Sequence, residues 1–313
     1  MGDAFRYFKE QNPLWQFMVE DLGSAEVCLY PGGIEDDAKA YITCSQQSSD
    51  GLWRRVVQAY SARSLTYRND RLPALNGIAT EFNLVHKHSQ YLLGQWTDDL
   101  VLGLLWTQSR PFPSPANALT WPQVPSWSWV SLNSSVDWYI YDLTVNTQQD
   151  PIPLCRIIEP TPLSNSHAMT LIGNLMRLGM PGGNASAQQY IFNNGNLTLS
   201  NWTFFSWQFY LDQWFFESLQ GEDDKSKTYF MLESMFFIPL LYRNYRQVIC
   251  LVLLPLPDSG RGSFRRAGVV HMYNPGGGLK KDFTPTAREY QHGITEEFYQ
   301  DYDGEGNYRI AII

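Results

Sequence analysis

A chain of 313 residues with 44% hydrophobic and 15% aromatic residues can bury a core of its own, as one large domain or two ordinary ones. Its 23 Lys and Arg against 31 Asp and Glu leave a net charge of -8, the wrong sign for a protein whose surface is mostly given to nucleic acid. The longest apolar run, Val248 to Leu256, is about half of what a membrane-spanning helix needs and contains Pro255, so it reads as a core strand and no membrane partner is expected.

The chain starts MGDAFRYFKEQ, without the apolar segment of a secretory signal, and Arg6 spoils a myristoylation match after Gly2. A cytoplasmic location is expected. Cys28, Cys44, Cys155 and Cys250 form no CxxC pair and have no His at ligand spacing, so they read as free thiols rather than zinc ligands or a disulfide framework. The Asn-x-Ser/Thr triplets at Asn133, Asn184, Asn196 and Asn201 are then chance products of a Ser- and Asn-rich sequence.

Residues 1–51 are mixed. Leu14, Trp15, Phe17, Met18 and Leu22 suit a short helix, Pro31-Gly32-Gly33 breaks it, and an acidic Glu35-Asp36-Asp37 patch follows. This is a leader to which the pattern assigns no fold. From Leu52 the spacing turns helical: Leu52, Trp53, Val56, Val57 and Tyr60 share a face, Arg54, Arg55 and Gln58 lie opposite, and Ser49 or Asp50 can cap. Leu72, Leu75, Ile78, Ala79 and Phe82 repeat the pattern, and a third helix is predicted from Thr97 through Leu100, Leu104 and Leu105 to Trp106. Residues 52–110 thus form a small helical block.

After Arg110, Pro111, Pro113, Pro115, Pro122 and Pro125 forbid a continuing helix. Ser126-Trp127-Ser128-Trp129-Val130-Ser131-Leu132 then predicts a strand with Trp127 and Trp129 on one face, followed by a buried strand over 136–141. Further strands are predicted near 154–158, 168–172, 197–199, 235–241, 248–254 and 267–272, separated by Pro, Gly and Asn clusters. Residues 202–219 read as a helix on the spacing of Trp207, Tyr210, Leu211, Trp214, Phe215 and Leu219, although their aromatic density also suits strands. The fold class is therefore α+β, with the helical block followed by a mostly antiparallel sheet or sandwich over 111–313.

Motifs that carry chemistry are sparse. No G-x-S-x-G nucleophile turn occurs; Gly260-Arg261-Gly262-Ser263 comes nearest and reads more simply as a hairpin loop. Gly276-Gly277-Gly278-Leu279-Lys280-Lys281 lacks the spacing of a phosphate-binding loop, and no dinucleotide fingerprint is present. His86 and His88 would share a face only on a strand, and His167, His271 and His292 are isolated. Acidic pairs at 36–37, 98–99, 223–224 and 296–297 read as helix starts or solvated loops, Asp98-Asp99 suiting a helix N-terminus. No catalytic residue, metal or cofactor is expected. Residues 258–288 hold six basic residues against two acidic ones, whereas residues 289–313 hold one against six. The two segments neutralise each other, or else Arg261, Arg265 and Arg266 form a weak site for an anion or protein partner.

The motifs of the block, taken in order, carry a resemblance. Trp53 is followed by Tyr60-Ser61-Ala62-Arg63-Ser64-Leu65-Thr66, then by Asp70-Arg71-Leu72-Pro73-Ala74-Leu75-Asn76-Gly77-Ile78-Ala79. Next come Tyr91-Leu92-Leu93-Gly94-Gln95-Trp96, Leu104-Leu105-Trp106 and Pro125-Ser126-Trp127-Ser128-Trp129. In order and spacing, residues 53–131 resemble the region downstream of the HET domain in fungal heterokaryon-incompatibility-type proteins, and the Phe264-Arg265-Arg266-Ala267-Gly268 stretch is similar in general character. The chain departs from that pattern at Gln123-Val124, where Arg-Ala is expected, and it lacks the motifs of the HET domain itself.

The resemblance implies an intracellular fungal protein linked to nonself recognition and cell-death signalling, in which the HET domain, similar in fold to TIR domains, is the effector. This chain would then be a noncatalytic scaffold or regulatory region. Its partner would be a protein or the missing HET effector, and the chain itself a C-terminal portion, a truncated gene product or a free-standing relative. The matched residues read as structural: Tyr60, Leu65, Leu72, Leu75 and Trp96 at helix-face positions, Asp70 and Thr97 as caps, Gly77 and Gly94 at close approaches. The alternative from another class is a stand-alone ligand-binding domain, for glycans or for hydrolysis, that uses Trp127, Trp129 and nearby carboxylates.

Overall fold

The computed structural model describes residues 49–63, 70–86, 90–109, 124–132, 134–138, 152–158, 168–177, 189–193, 196–202, 205–212, 214–215, 234–243, 247–273 and 294–313. The leader up to residue 48, Leu65, Thr66, His88 and the Gly276–Lys281 run lie outside them.

Helix α1 (Ser49–Ser61) turns Trp53, Val56, Val57 and Tyr60 inward, as its spacing requires. Arg54 does not lie on a solvated face. It is buried and paired with Asp99, while half-buried Gln58 donates to the Asp137 carboxylate, so this side of α1 is covered by the chain that follows. Helix α2 (Arg71–His86) buries Leu75, Ile78, Ala79 and Phe82, with Pro73 tolerated in its first turn.

The predicted third helix is mostly something else. Strands β1 (Tyr91–Leu92) and β2 (Gln95–Trp96) form a hairpin, Thr97–Asp99 is a single 3-10 turn, and α3 (Leu100–Gly103) lasts one turn. No side chain caps the 3-10 turn, so Thr97 is not its cap. Leu104, Leu105 and Trp106 lie beyond α3 and are fully buried. Their burial lets backbone pairing replace helix: β3 (Thr107–Gln108) joins β4 (Val136–Asp137) in a second small antiparallel pair.

The Ser126–Leu132 stretch is not a strand either. Trp129–Ser131 is a 3-10 turn whose start is capped by Ser128, with its hydroxyl accepting the Val130 N–H at 3.2 Å. Local serine chemistry has outweighed the alternating pattern here.

The rest of the described chain is a 12-stranded sheet. Its main path runs β5 (Ile152–Pro153), β12 (Phe236–Arg243), β13 (Gln247–Pro255), β14 (Ser263–Tyr273), β11 (Phe205–Leu211), β10 (Asn196–Trp202) and β9 (Gln189–Asn193). Strands β6 (Arg156–Ile158), β7 (Met169–Gly173), β8 (Met176–Arg177), β15 (Asp301–Tyr302) and β16 (Tyr308–Ile312) branch from it. All pairings are antiparallel except β14 with β16. The fold is α+β, with few helices and one large, mostly antiparallel sheet.

The six strands predicted by Pro- and Gly-bounded apolar runs all appear, and Val248–Leu256 falls on β13, which is buried on both faces through Leu253. The helix predicted over 202–219 is corrected across 205–211. Those residues are β11, inserted between β10 and β14 with Trp207 opposite Met272 and Phe209 opposite Val270. An aromatic run that fits a helix face gains more here from two flanking ladders, because every backbone group of a central strand is paired.

One contiguous apolar core runs from Trp53 and Tyr60 through Trp106, Trp127 and Trp129 to Leu251, Phe264 and Ile310. No described helix is long and apolar enough to cross a membrane.

Candidate functional site

The tryptophan-bearing motifs converge on one carbonyl. At the β1–β2 hairpin, Leu93 and Gly94 both have positive φ (45° and 98°), the conformation that a two-residue turn of this hand demands. The turn aims the Gly94 carbonyl into the core, where it accepts the indole N–H of Trp53 and of Trp129, each at 3.1 Å. Trp53 packs its ring against Phe82, Tyr91 and Trp96 at centroid distances of 5.2, 5.7 and 5.5 Å, and Tyr60 meets the Trp129 ring edge-on. Two further indoles follow the same rule: Trp106 donates to the Trp127 carbonyl at 3.0 Å and Trp138 to the Leu102 carbonyl at 3.1 Å. A buried indole that keeps a backbone partner avoids the cost of an unmade hydrogen bond.

Polar members of the motifs act as ties. The Tyr60 hydroxyl donates to the Arg71 carbonyl at 2.8 Å, and burial pushes its pKa up to about 12 against the opposing pull of the Arg71 guanidinium. Burial also raises the Tyr91 phenol well above its usual range. Arg71, itself buried, lies over the Trp129 ring at 4.9 Å and donates to the carbonyls of Leu132 and Ser134. The Ser61 hydroxyl accepts the Val136 N–H at 3.0 Å, which binds α1 to β4. Ser128 donates to the Leu93 carbonyl at 2.7 Å while it caps its own turn. Ser128→Ala removes both bonds and is expected to cost about 1–2 kcal/mol, read as a lower urea midpoint.

Ser126 links this block to the sheet. Its hydroxyl and N–H both donate to the Ile313 carbonyl, and its oxygen accepts the Arg266 N–H at 3.0 Å. Pro125 beside it is buried, Gly77 is half-buried on α2, and Asp70 is exposed before α2.

The three arginines of the basic segment do not converge. Arg261 is exposed on the turn between β13 and β14, donates to the Tyr299 carbonyl at 2.7 Å and stands 5.3 Å from the Tyr299 ring. Adjacent residues of a strand face opposite ways. Arg265 accordingly covers the Trp214 ring at 3.8 Å, with its pKa lowered by burial, while Arg266 points into the core. There Arg266 reaches both carboxylate oxygens of Asp212 at 2.7 Å, donates to the Trp106 carbonyl and lies 3.3 Å from the Trp106 ring centre. No sequence signal named Asp212. A charged pair at adjacent strand positions does announce that one of the two faces inward.

Asp99 is held by Arg54, Asp98 is exposed, and Glu297 accepts a hydrogen bond from Thr295. Cys250 is buried and Cys155 half-buried; both are free thiols whose pKa burial raises, that of Cys155 to about 12, which suppresses the reactive thiolate. Among the described residues no three His, Cys, Asp or Glu side chains are grouped to hold a metal. The Asp303 carboxylate closes the β15–β16 hairpin by accepting from the Glu305 and Asn307 amides and the Asn307 side chain at 2.7–3.0 Å.

Those bonds, the Asn307 side chain foremost, hold the Asp303 pKa below its ordinary value. Its contribution is therefore complete above the unfolded carboxylate range and lost as pH falls through the depressed folded value. In an NMR titration, the Glu305 and Asn307 amide shifts should move with a midpoint below the ordinary ~3.9 of an aspartate. Asp303→Asn should abolish that titration.

A shallow groove of about 450 Å³ borders α2, lined by Asn76, Thr80, Asn83, Leu84, Tyr91 and Trp96. Leu84 is 70% exposed at its rim.

No family model, curated protein or solved structure matches this chain.

Proposed function

We propose that this chain is a noncatalytic scaffold or regulatory region of a cytoplasmic, heterokaryon-incompatibility-type protein, one that holds, restrains or targets a HET effector in fungal nonself recognition and cell-death signalling. The observation that supports this reading is how the resembling motifs are used. Trp53, Tyr60, Gly94, Trp96, Trp106, Trp127 and Trp129 are separated by up to 76 positions, yet all are buried, and the indoles of Trp53, Trp106 and Trp129 and the Tyr60 hydroxyl donate to backbone carbonyls. Motifs used in this way constrain a core, so residues 53–131 are a framework on which function is carried elsewhere.

A glycan cleft needs exposed indole faces to stack on sugar rings. Trp127 and Trp129 have no exposed surface, and this favours the scaffold over the ligand-binding alternative.

The test is co-expression of the full chain with a HET-domain polypeptide in a filamentous fungus, scored for co-purification and for hyphal death by dye uptake. The two chains are expected to co-purify, and the death caused by the HET domain alone is expected to be suppressed or made conditional. Absence of association together with unchanged death would sink the proposal. Trp127→Ala and Trp129→Ala separate the two classes: unfolding supports a core, whereas a folded variant that has lost binding to a glycan array supports a cleft.

A further inference from the structure

Among the described residues, the enclosed Arg266 side chain joins a charged pair within the sheet to the tryptophan block. Asp212 directly follows β11, two positions before Trp214, and the Arg266 side chain on the neighbouring β14 has no exposed surface. The guanidinium holds Asp212 on one side, and on the other it donates to the Trp106 carbonyl and covers the Trp106 ring. The backbone N–H of the same residue donates to Ser126 of the Pro125–Trp129 motif. Arg265, on the opposite strand face, stacks on Trp214, so two adjacent arginines pin the segment that follows β11.

A buried ion pair is seldom retained for net stability, since desolvation offsets most of the attraction. Its use lies in specificity, because the Asp212 carboxylate holds the guanidinium in the orientation from which it also reaches Trp106. We propose that Arg266, held in place by Asp212 within the sheet, is a latch that fixes the tryptophan block on the sheet, and that through it the two parts open as a single cooperative unit. The composition change near residue 110 is then no boundary between independently folding domains.

Hydrogen exchange followed by mass spectrometry on the full chain tests this, comparing peptides from 49–61 and 91–106 with peptides from 247–273. In the wild-type chain both sets should open with the same free energy and the same urea dependence. In Asp212→Ala the block peptides should exchange on the order of 100-fold faster relative to the strand peptides, the factor expected for breaking one buried pair. A block that already opens separately in the wild-type chain overturns the proposal. So does an Asp212→Ala chain in which both sets lose protection equally or not at all, since the parts are then coupled without the pair. Should Asp212→Ala fail to fold, Asp212→Asn, which removes the charge and keeps one acceptor oxygen, is judged by the same ratio.

Discussion

Gly94→Ala is expected to destabilise the chain by about 3 kcal/mol or more, from backbone strain and overpacking together. A methyl group at this position would lie 2.6 Å from the Trp129 indole nitrogen and 2.9 Å from the adjoining ring carbon, on a residue whose φ is +98°. Neither the ring nor the turn has room to yield. Trp129 is enclosed, and its indole N–H is bonded to the Gly94 carbonyl itself, which also holds Trp53. Any shift that relieves the clash therefore loosens two tryptophans. The urea midpoint should fall by on the order of 1 M with little change in slope. Gly304→Ala is the control, because Gly304 also has a positive φ, +80°, but an added methyl group would meet nothing within 4 Å. It should cost only the backbone term, about 1 kcal/mol. Equal losses in the two variants would refute the close packing of Gly94 on Trp129.

Arg266→Ala is expected to cost about 3–5 kcal/mol, because it strands the Asp212 carboxylate in the core and opens a void beside Trp106. Replacing both partners together, as Arg266→Met with Asp212→Leu, should recover most of that loss, since no buried charge remains to be compensated. Both are measured by denaturant unfolding. A double variant as unstable as Arg266→Ala would mean that the Arg266 contacts with Trp106, rather than its charge on Asp212, dominate the site.

How much of this was legible in the chain itself varies by element. Helices α1 and α2 follow from apolar spacing alone, because a single stripe of Trp53, Val56, Val57 and Tyr60, or of Leu75, Ile78, Ala79 and Phe82, has only one way to be buried. Strands β12, β13 and β14 follow from continuous apolar runs bounded by turn residues. The Thr97–Trp106 helix and the Ser126–Leu132 strand that spacing predicts do not form, for a shared reason. Short segments take whichever backbone pairing their neighbours offer, and Ser128 supplies its own turn. Residues 205–211 carry a pattern compatible with either structure, and the choice is made by β10 and β14, one of them more than fifty residues away.

The tryptophan-rich block shows the same division. Composition alone marked residues 53–131 as a tryptophan-punctuated stretch. Local periodicity and turn chemistry also determined the α+β class, since both are written in neighbouring residues. Only the tertiary structure decided that Gly94 is the shared acceptor of Trp53 and Trp129, that Ser126 ties the block to Ile313, and that Arg266 turns inward while Arg265 does not. Each of these joins positions 35 to 187 residues apart or depends on which face of a strand is covered. Such contacts are set by the packing of the whole core, and no window of sequence contains them.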